Sequence, residues 1–456
     1  MTDVSAEVLR TVAGPDLYRT NAFRITGLST YADRRAVSRR RQQVLTSMSM
    51  GVDTAFVPTD ADPDEVRAAF DRLLEDPRRR LVDELFWLWD VPGADCSCPG
   101  SLHREHDRAA IAHGHVLAQE AAGGSPAEAR HDLDRLWGDA AHRWDALLRR
   151  AATWEHVRHR VRALDDRRID ESVVDTLRAE LPTALMRPLV ALTVAAERPE
   201  RLVGHLRRWP GRAVLATDLL EESASPLFEE ISAAVTRTRA LLDDGALDDA
   251  VSTVLGAVAT ADRLRTMLPP DSCGRTATAC ETVAVALNNC ATRLFERSVP
   301  AVGDRVDRLL DTAVRYAVQS ETVEAIRANA QSFRDVEAAV DETKRVIART
   351  FDSGQREVAL QMAAQMRRQF SSMPGAVAEI DDMVAGFRKN AAYHQTGRWR
   401  GIRIAILVLI LLLCIALNRC ANDDSGALQH DTGSAAVTAA GGRALYETGV
   451  AGWPGR

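Results

Sequence analysis

The feature that most constrains this chain is a run near its end, Ile404 to Leu417. Eleven of its fourteen residues are Ile, Leu or Val, and the other three are Ala405, Cys414 and Ala416. A helix of this composition has no polar face, so only a protein core or lipid suits it as surroundings. At about 1.5 Å per residue the stretch between Arg403 and Arg419 spans roughly 23 Å, and the arginines at its ends can snorkel to the polar layers of a bilayer. The sequence therefore predicts one transmembrane helix over 402–418. Arg388, Lys389, Arg398, Arg400 and Arg403 precede it, and only Arg419 follows closely. The positive-inside rule then puts the N-terminus in the cytoplasm and residues 419–456 outside, making the chain a single-pass protein of the cell membrane. The first twenty residues carry Asp3, Glu7 and Asp16 and no apolar core, so no signal peptide is expected.

At 456 residues the chain has room for two or three domains with sizeable cores. A net charge of −6 argues against general nucleic-acid binding. Aromatics make up 5% of the chain, and strand-like alternating runs are missing, which predicts an all-α protein. The seven scattered cysteines read as reduced thiols, except Cys420, which alone lies on the oxidising side. The expected order is a flexible tail (1–15), a helical module (16–92), a loop (93–106), helical hairpins (107–217), and repeats with long helices (218–400). The membrane span and a disordered extracytoplasmic tail (419–456), rich in Gly, Ala and Thr, complete it.

Within the first module, Asn21 is placed to cap a short helix, Gly27 to end it, and Asp33 to cap the next. Asp64 to Trp89 follows with Val66, Phe70, Leu73 and Leu74 on one side, broken at Asp76-Pro77. The Asn21-x-Phe23-x-Ile25-x-Gly27-Leu28 start and the Phe70-x-x-Leu73-x-x-Asp76-Pro77-x-x-Arg80 ending resemble a J domain, the co-chaperone module. The resemblance covers roughly 70 residues and implies a helical hairpin. That family engages the 70-kilodalton heat-shock chaperone through a His-Pro-Asp loop, and Ser47-Met-Ser-Met-Gly51 stands there instead. The activity of the family therefore does not carry over, and a docking or structural unit is expected.

Cys96 and Cys98 precede His103 and His106, with His113 and His115 beyond. Thiolate and imidazole at short spacing are zinc-ligand chemistry, yet Cys-x-Cys is tighter than the usual gap and no second pair stands at finger-like distance. A solvated loop leading into a helix is the expectation, with no metal, cofactor or catalytic residue assigned. His142, His156 and His159, set among Arg and Glu, read as solvated. Trp137, Trp144, Leu147, Leu148 and Trp154 form a stripe that predicts packing between helices. Gly123-Gly124-Ser125-Pro126, Pro182 and Pro210-Gly211 punctuate this region.

Beyond Pro226, Phe228–Leu242 with Gly245–Met267, and Val283–Phe295 with Val306–Ala317, read as helix pairs. Ala286-Leu-Asn-Asn-Cys-Ala291 and Leu309-Leu-x-x-Ala313 resemble tetratricopeptide repeats, which implies stacked pairs with a face for a protein partner. Phe333, Val336, Val340, Thr343, Ile347 and Phe351 mark a helical seam, renewed by Val358, Met362, Met366, Phe370 and Met373. The resulting expectation is a membrane-anchored, non-catalytic adaptor that contacts the bilayer through 402–418 and a protein partner through its repeats. Two alternatives stand beside it: a membrane-recruited co-chaperone, and a metal-dependent enzyme using Cys96, Cys98 and His103. No Gly-rich phosphate loop, nucleophile elbow or His-Glu-x-x-His motif supports an enzyme.

Overall fold

The computed structural model describes residues 4–50, 62–91, 96–122, 127–298, 303–371 and 373–391. All secondary structure among them is helical, with no strand. The expected span at 402–418 and the tail at 419–456 lie outside the described residues, and among the described ones no helix is long and apolar enough to cross a membrane. The chain divides into two units, Met1–Pro226 with Arg263–Pro269, and Leu227–Asp262 with Pro270–Arg456.

The first unit opens with α1 (Val4–Val12), α2 (Ala22–Thr26), α3 (Arg34–Ser49), α4 (Pro63–Glu75) and α5 (Pro77–Leu85). Residues 1–15 are thus not simply a loose tail. A helix as short as α1 needs tertiary support, and its Leu9 and Val12 are buried while α1 packs on α5 and on α9 (Ser172–Ala195). The capping residues do what their chemistry suggests. Asn21 accepts from the amides of Phe23 and Arg24, Asp33 from Ala36, Asp62 from Asp64, and Asp76 from Arg79. Pro63 and Pro77 occupy first helical positions, where a missing N–H costs nothing. Gly27 ends α2 at φ 65°, a left-handed conformation. Phe23, Ile25, Phe70 and Leu73 then bury together in one core with Val37, Val44 and Val66.

The unit continues with α6 (Gly100–Ala122), α7 (Ala127–Leu148), α8 (Ala151–Leu164), α9, α10 (Glu200–Arg207) and α11 (Ala213–Ser223). Trp137, Trp144 and Trp154 are almost fully buried, as the stripe implies. Pro182 does not interrupt the chain, because α9 runs through both Pro182 and Pro188. Burial of Leu177, Leu181, Leu185 and Leu189 along it outweighs the hydrogen bonds the prolines remove.

One ion network ties the early helices to α8. Glu84 of α5 accepts from Arg160 of α8 through both oxygens, Nε–Oε2 at 2.9 Å and Nη2–Oε1 at 3.2 Å, and from Arg80 Nε at 3.2 Å. Arg160 also donates to the Thr30 carbonyl at 3.0 Å, and Arg80 to the Ala32 carbonyl at 2.6 Å. Side chains of all three residues are under a tenth exposed. Burial opposes the Arg160 charge, but the Glu84 carboxylate beside it raises its pKa above the ordinary value.

In the second unit, α12 (Ser225–Asp243) meets α13 (Leu247–Met267) at a turn where Gly245 takes φ 77°. There Ala246 N–H reaches the Leu241 carbonyl at 2.8 Å and Gly245 N–H the Leu242 carbonyl at 3.2 Å, closing the helix end with its last carbonyls satisfied. α14 (Gly274–Ser298) packs along α15 (Gly303–Tyr316), and α16 (Ser320–Asp352) along α17 (Arg356–Gln369). The seam buries Val340, Ile347 and Phe351 with Val358, Met362, Met366 and Ile380. α14 also meets α18 (Pro374–Ala391), so the packing departs from nearest-neighbour stacking.

Removing one partner of the buried network strands the others. Glu84→Ala is expected to destabilise the first unit by about 3–5 kcal/mol. Exposed Asp132→Ala is expected to leave its unfolding midpoint unchanged. Six of the eight tryptophans lie between Trp87 and Trp209, so urea unfolding followed by tryptophan fluorescence reports this unit.

Candidate functional site

Four side chains that could hold a metal ion converge in the first unit. Cys96 and Cys98 lie just ahead of α6, His103 sits one turn into α6, and His156 comes from α8. Their ligand atoms all lie within 4.8 Å of one another. His103 Nε2 is 3.2 Å from His156 Nδ1, and Cys96 Sγ is 3.5 Å from the same Nδ1. His159, one turn further along α8, brings its Nδ1 to 3.4 Å from Cys96 Sγ.

Aromatic rings wall the cluster. Trp89 lies against His156 with ring centroids 4.1 Å apart, and meets His103 edge-on at 6.1 Å. Its other contact is a stack on His106 at 3.5 Å, where His106 Nε2 donates to the Leu85 carbonyl at 2.8 Å. The Asp107 carboxylate accepts from the backbone amides of Trp89 and Asp90 at 2.7 and 3.0 Å. Tyr31 sits near His103, and the Arg160 guanidinium lies over the Tyr31 ring at 4.6 Å. The network around Glu84 therefore fixes the helix that presents His156 and His159.

Burial shapes the electrostatics of the cluster. Burial holds His103 below its ordinary pKa and pushes His156 down to about 2, so both imidazoles are neutral with a lone pair to offer. Burial, reinforced by Cys96, pushes the Cys98 thiol up to about 11. Two adjacent thiolates disfavour each other unless a cation joins them. Thiolate and imidazole are the borderline donors that zinc accepts.

Several sequence expectations change here. His103 and His106 lie on α6 and are buried, not in a solvated loop ending at 106. His106 is a packing and hydrogen-bonding residue outside the four-member cluster. His156, expected in solvent, is 1% exposed. His142 and His115 are exposed. The signal that would have found His156 is the inward face of α8, where Thr153, Trp154, His156, Val157, Arg160 and Val161 recur at helical spacing. Half of that face is polar, so a search for apolar stripes passes over it.

A second candidate lies in the other unit, a groove of about 820 Å³ between α13 and α15. Val251, Leu255 and Leu309 line it together with Arg305, Arg308 and Arg315. Leu255 is 45% exposed, while Val251 and Leu309 are buried. Asp248 ties Arg305 at 2.7 Å across the groove.

No family model, curated protein or solved structure matches the chain. The J-domain and tetratricopeptide resemblances therefore rest on their motifs alone, and Gly51 of the Ser47–Gly51 segment lies outside the described residues.

Elsewhere on α6, His113 is wholly buried between Trp137 and Trp209, with Tyr18 Oη 3.0 Å from its Nδ1. Burial pushes its pKa down to about 3. In the unfolded chain it protonates near pH 6.5, so below that value only the unfolded state takes the proton and stability falls as pH falls. Between pH 6.5 and 5 this one residue is expected to cost up to about 2 kcal/mol. Urea midpoints at pH 7 and 5 should therefore draw apart in the parent protein, and by less in His113→Gln.

Proposed function

We propose that the chain is a non-catalytic interaction scaffold, held at the cell membrane by residues 402–418 and offering the α13–α15 groove to a protein partner. The observation that carries the reading is that groove. Leu255 stands exposed at its floor, flanked by Val251 and Leu309, which are buried beneath it. Arg305, Arg308 and Arg315 line the same groove, Arg308 and Arg315 being exposed. Such a surface suits a helix whose apolar side chains enter the groove while carboxylates meet the arginines. The all-helical construction supports the reading as well, since packed helix pairs present grooves of this kind between neighbours.

The anchor rests on the apolar run and on the arginine asymmetry of its flanks. A membrane position would concentrate the cytoplasmic units at the bilayer surface, where a partner with its own membrane anchor is met at high effective concentration.

Both halves of the proposal can be tested in one strain. A photo-cross-linking amino acid at Leu255 should give a discrete adduct, and the same probe at exposed Val214 should not. Adding Arg308→Glu and Arg315→Glu should reduce the adduct at least fivefold while leaving helix content unchanged. Equal labelling from both positions would end the docking reading. Removing residues 402–456 should release the chain from carbonate-washed membranes, and continued pelleting would refute the anchor.

A further inference from the structure

The cluster in the first unit has a composition and spacing that packing alone does not account for. Two histidines and two cysteines turn their donor atoms toward a common point, from segments up to 60 residues apart. Between His103 Nε2 and His156 Nδ1 at most one hydrogen bond can form, because one of the two ring nitrogens has to supply the proton. The other nitrogen of His156, Nε2, is buried without a hydrogen-bond partner among the described residues. The ring is thus held in place chiefly from its Nδ1 side, where Cys96 and His103 lie.

We propose that Cys96, Cys98, His103 and His156 bind one zinc ion in a closed tetrahedral site. A tetrahedron with zinc–sulfur bonds of about 2.3 Å and zinc–nitrogen bonds of about 2.05 Å puts nitrogen atoms about 3.3 Å apart and nitrogen and sulfur about 3.6 Å apart. The separations found are 3.2 Å for His103 Nε2 to His156 Nδ1 and 3.5 Å for Cys96 Sγ to His156 Nδ1. Two sulfurs on such an ion stand about 3.8 Å apart, and the whole set already lies within 4.8 Å. Small side-chain adjustments close the site, and no helix has to move.

The chemistry agrees with the geometry. Two thiolates neutralise a divalent ion, and each loses its proton as the bond to zinc forms. His159 Nδ1, 3.4 Å from Cys96 Sγ, is positioned to donate a hydrogen bond to the bound thiolate. With four protein ligands and Trp89 packed against His156, no position is left for water, so the ion is structural rather than catalytic. Its effect is to join the segment before α6, α6 itself and α8, the helix that Glu84 holds through Arg160. The inference goes beyond the scaffold reading and stands independently of the groove in the second unit.

Full-length protein, purified with reductant and without added metal, tests this by inductively coupled plasma mass spectrometry. One zinc per chain is expected. Cys96→Ser with Cys98→Ser, and separately His156→Gln, should reduce the zinc at least tenfold, whereas His142→Gln should keep it. Because a ligand variant could fail to fold, the parent protein is also stripped with a chelator and refilled with cobalt(II). Tetrahedral d–d bands with a thiolate-to-cobalt charge-transfer band are expected. Treating the stripped protein with a thiol-blocking reagent should abolish them. Zinc content unaffected by the Cys and His156 changes, octahedral cobalt, or folded protein that takes up no metal would each overturn the site.

Discussion

Glu84 lies almost fully out of water with a guanidinium on either side, Arg80 from its own helix and Arg160 from a helix 76 residues further along the chain. Taking three charges out of water is expensive, and the arrangement is tolerable only because every contact is a charge-assisted hydrogen bond with good geometry. Each arginine also donates to a backbone carbonyl, Arg160 to Thr30 and Arg80 to Ala32. These carbonyls belong to the turn between α2 and α3, so one carboxylate sets the relative placement of three parts of the first unit. Arg160 shares a helix face with His156, and what holds Arg160 therefore holds the histidine against Cys96 and His103.

The motif residues near the N-terminus acquire a plain physical meaning in this setting. Asn21 caps α2 and donates to the Asp83 carbonyl at 2.8 Å. Phe23, Ile25, Phe70 and Leu73 make the small core, Asp76 and Pro77 restart the helix, and Arg80 ties Glu84 to the α2–α3 turn. Each is accounted for by capping, packing or ion pairing within the unit. A resemblance built on these positions speaks to the helical arrangement, and function has to be sought where side chains are left over from such duties. The Cys/His cluster and Leu255 are two such places.

What could be read from the sequence was local. Caps at Asn21, Asp33 and Asp76, the break at Asp76-Pro77, the tryptophan stripe and the seam from Val340 to Phe351 each depend on residues a few positions apart, and periodicity exposes them. The site was only half legible. Cys96, Cys98 and His103 stand out by spacing, but the fourth ligand lies 53 residues beyond His103 on a helix whose inward face is half polar. Arg160 was hidden for the same reason, since a charged residue is assigned to solvent unless its partner is known. Helix α1 and the passage of α9 through Pro182 were missed because tertiary burial, absent from any local window, decides both.

X-ray absorption at the zinc K edge on the purified full-length chain reads out directly whether the first unit closes around a metal ion held by two sulfurs and two nitrogens. Two sulfurs at about 2.3 Å and two nitrogens at about 2.0 Å are expected around the zinc, with outer scattering from imidazole rings. A shell made only of oxygen and nitrogen neighbours, with no sulfur, would contradict this.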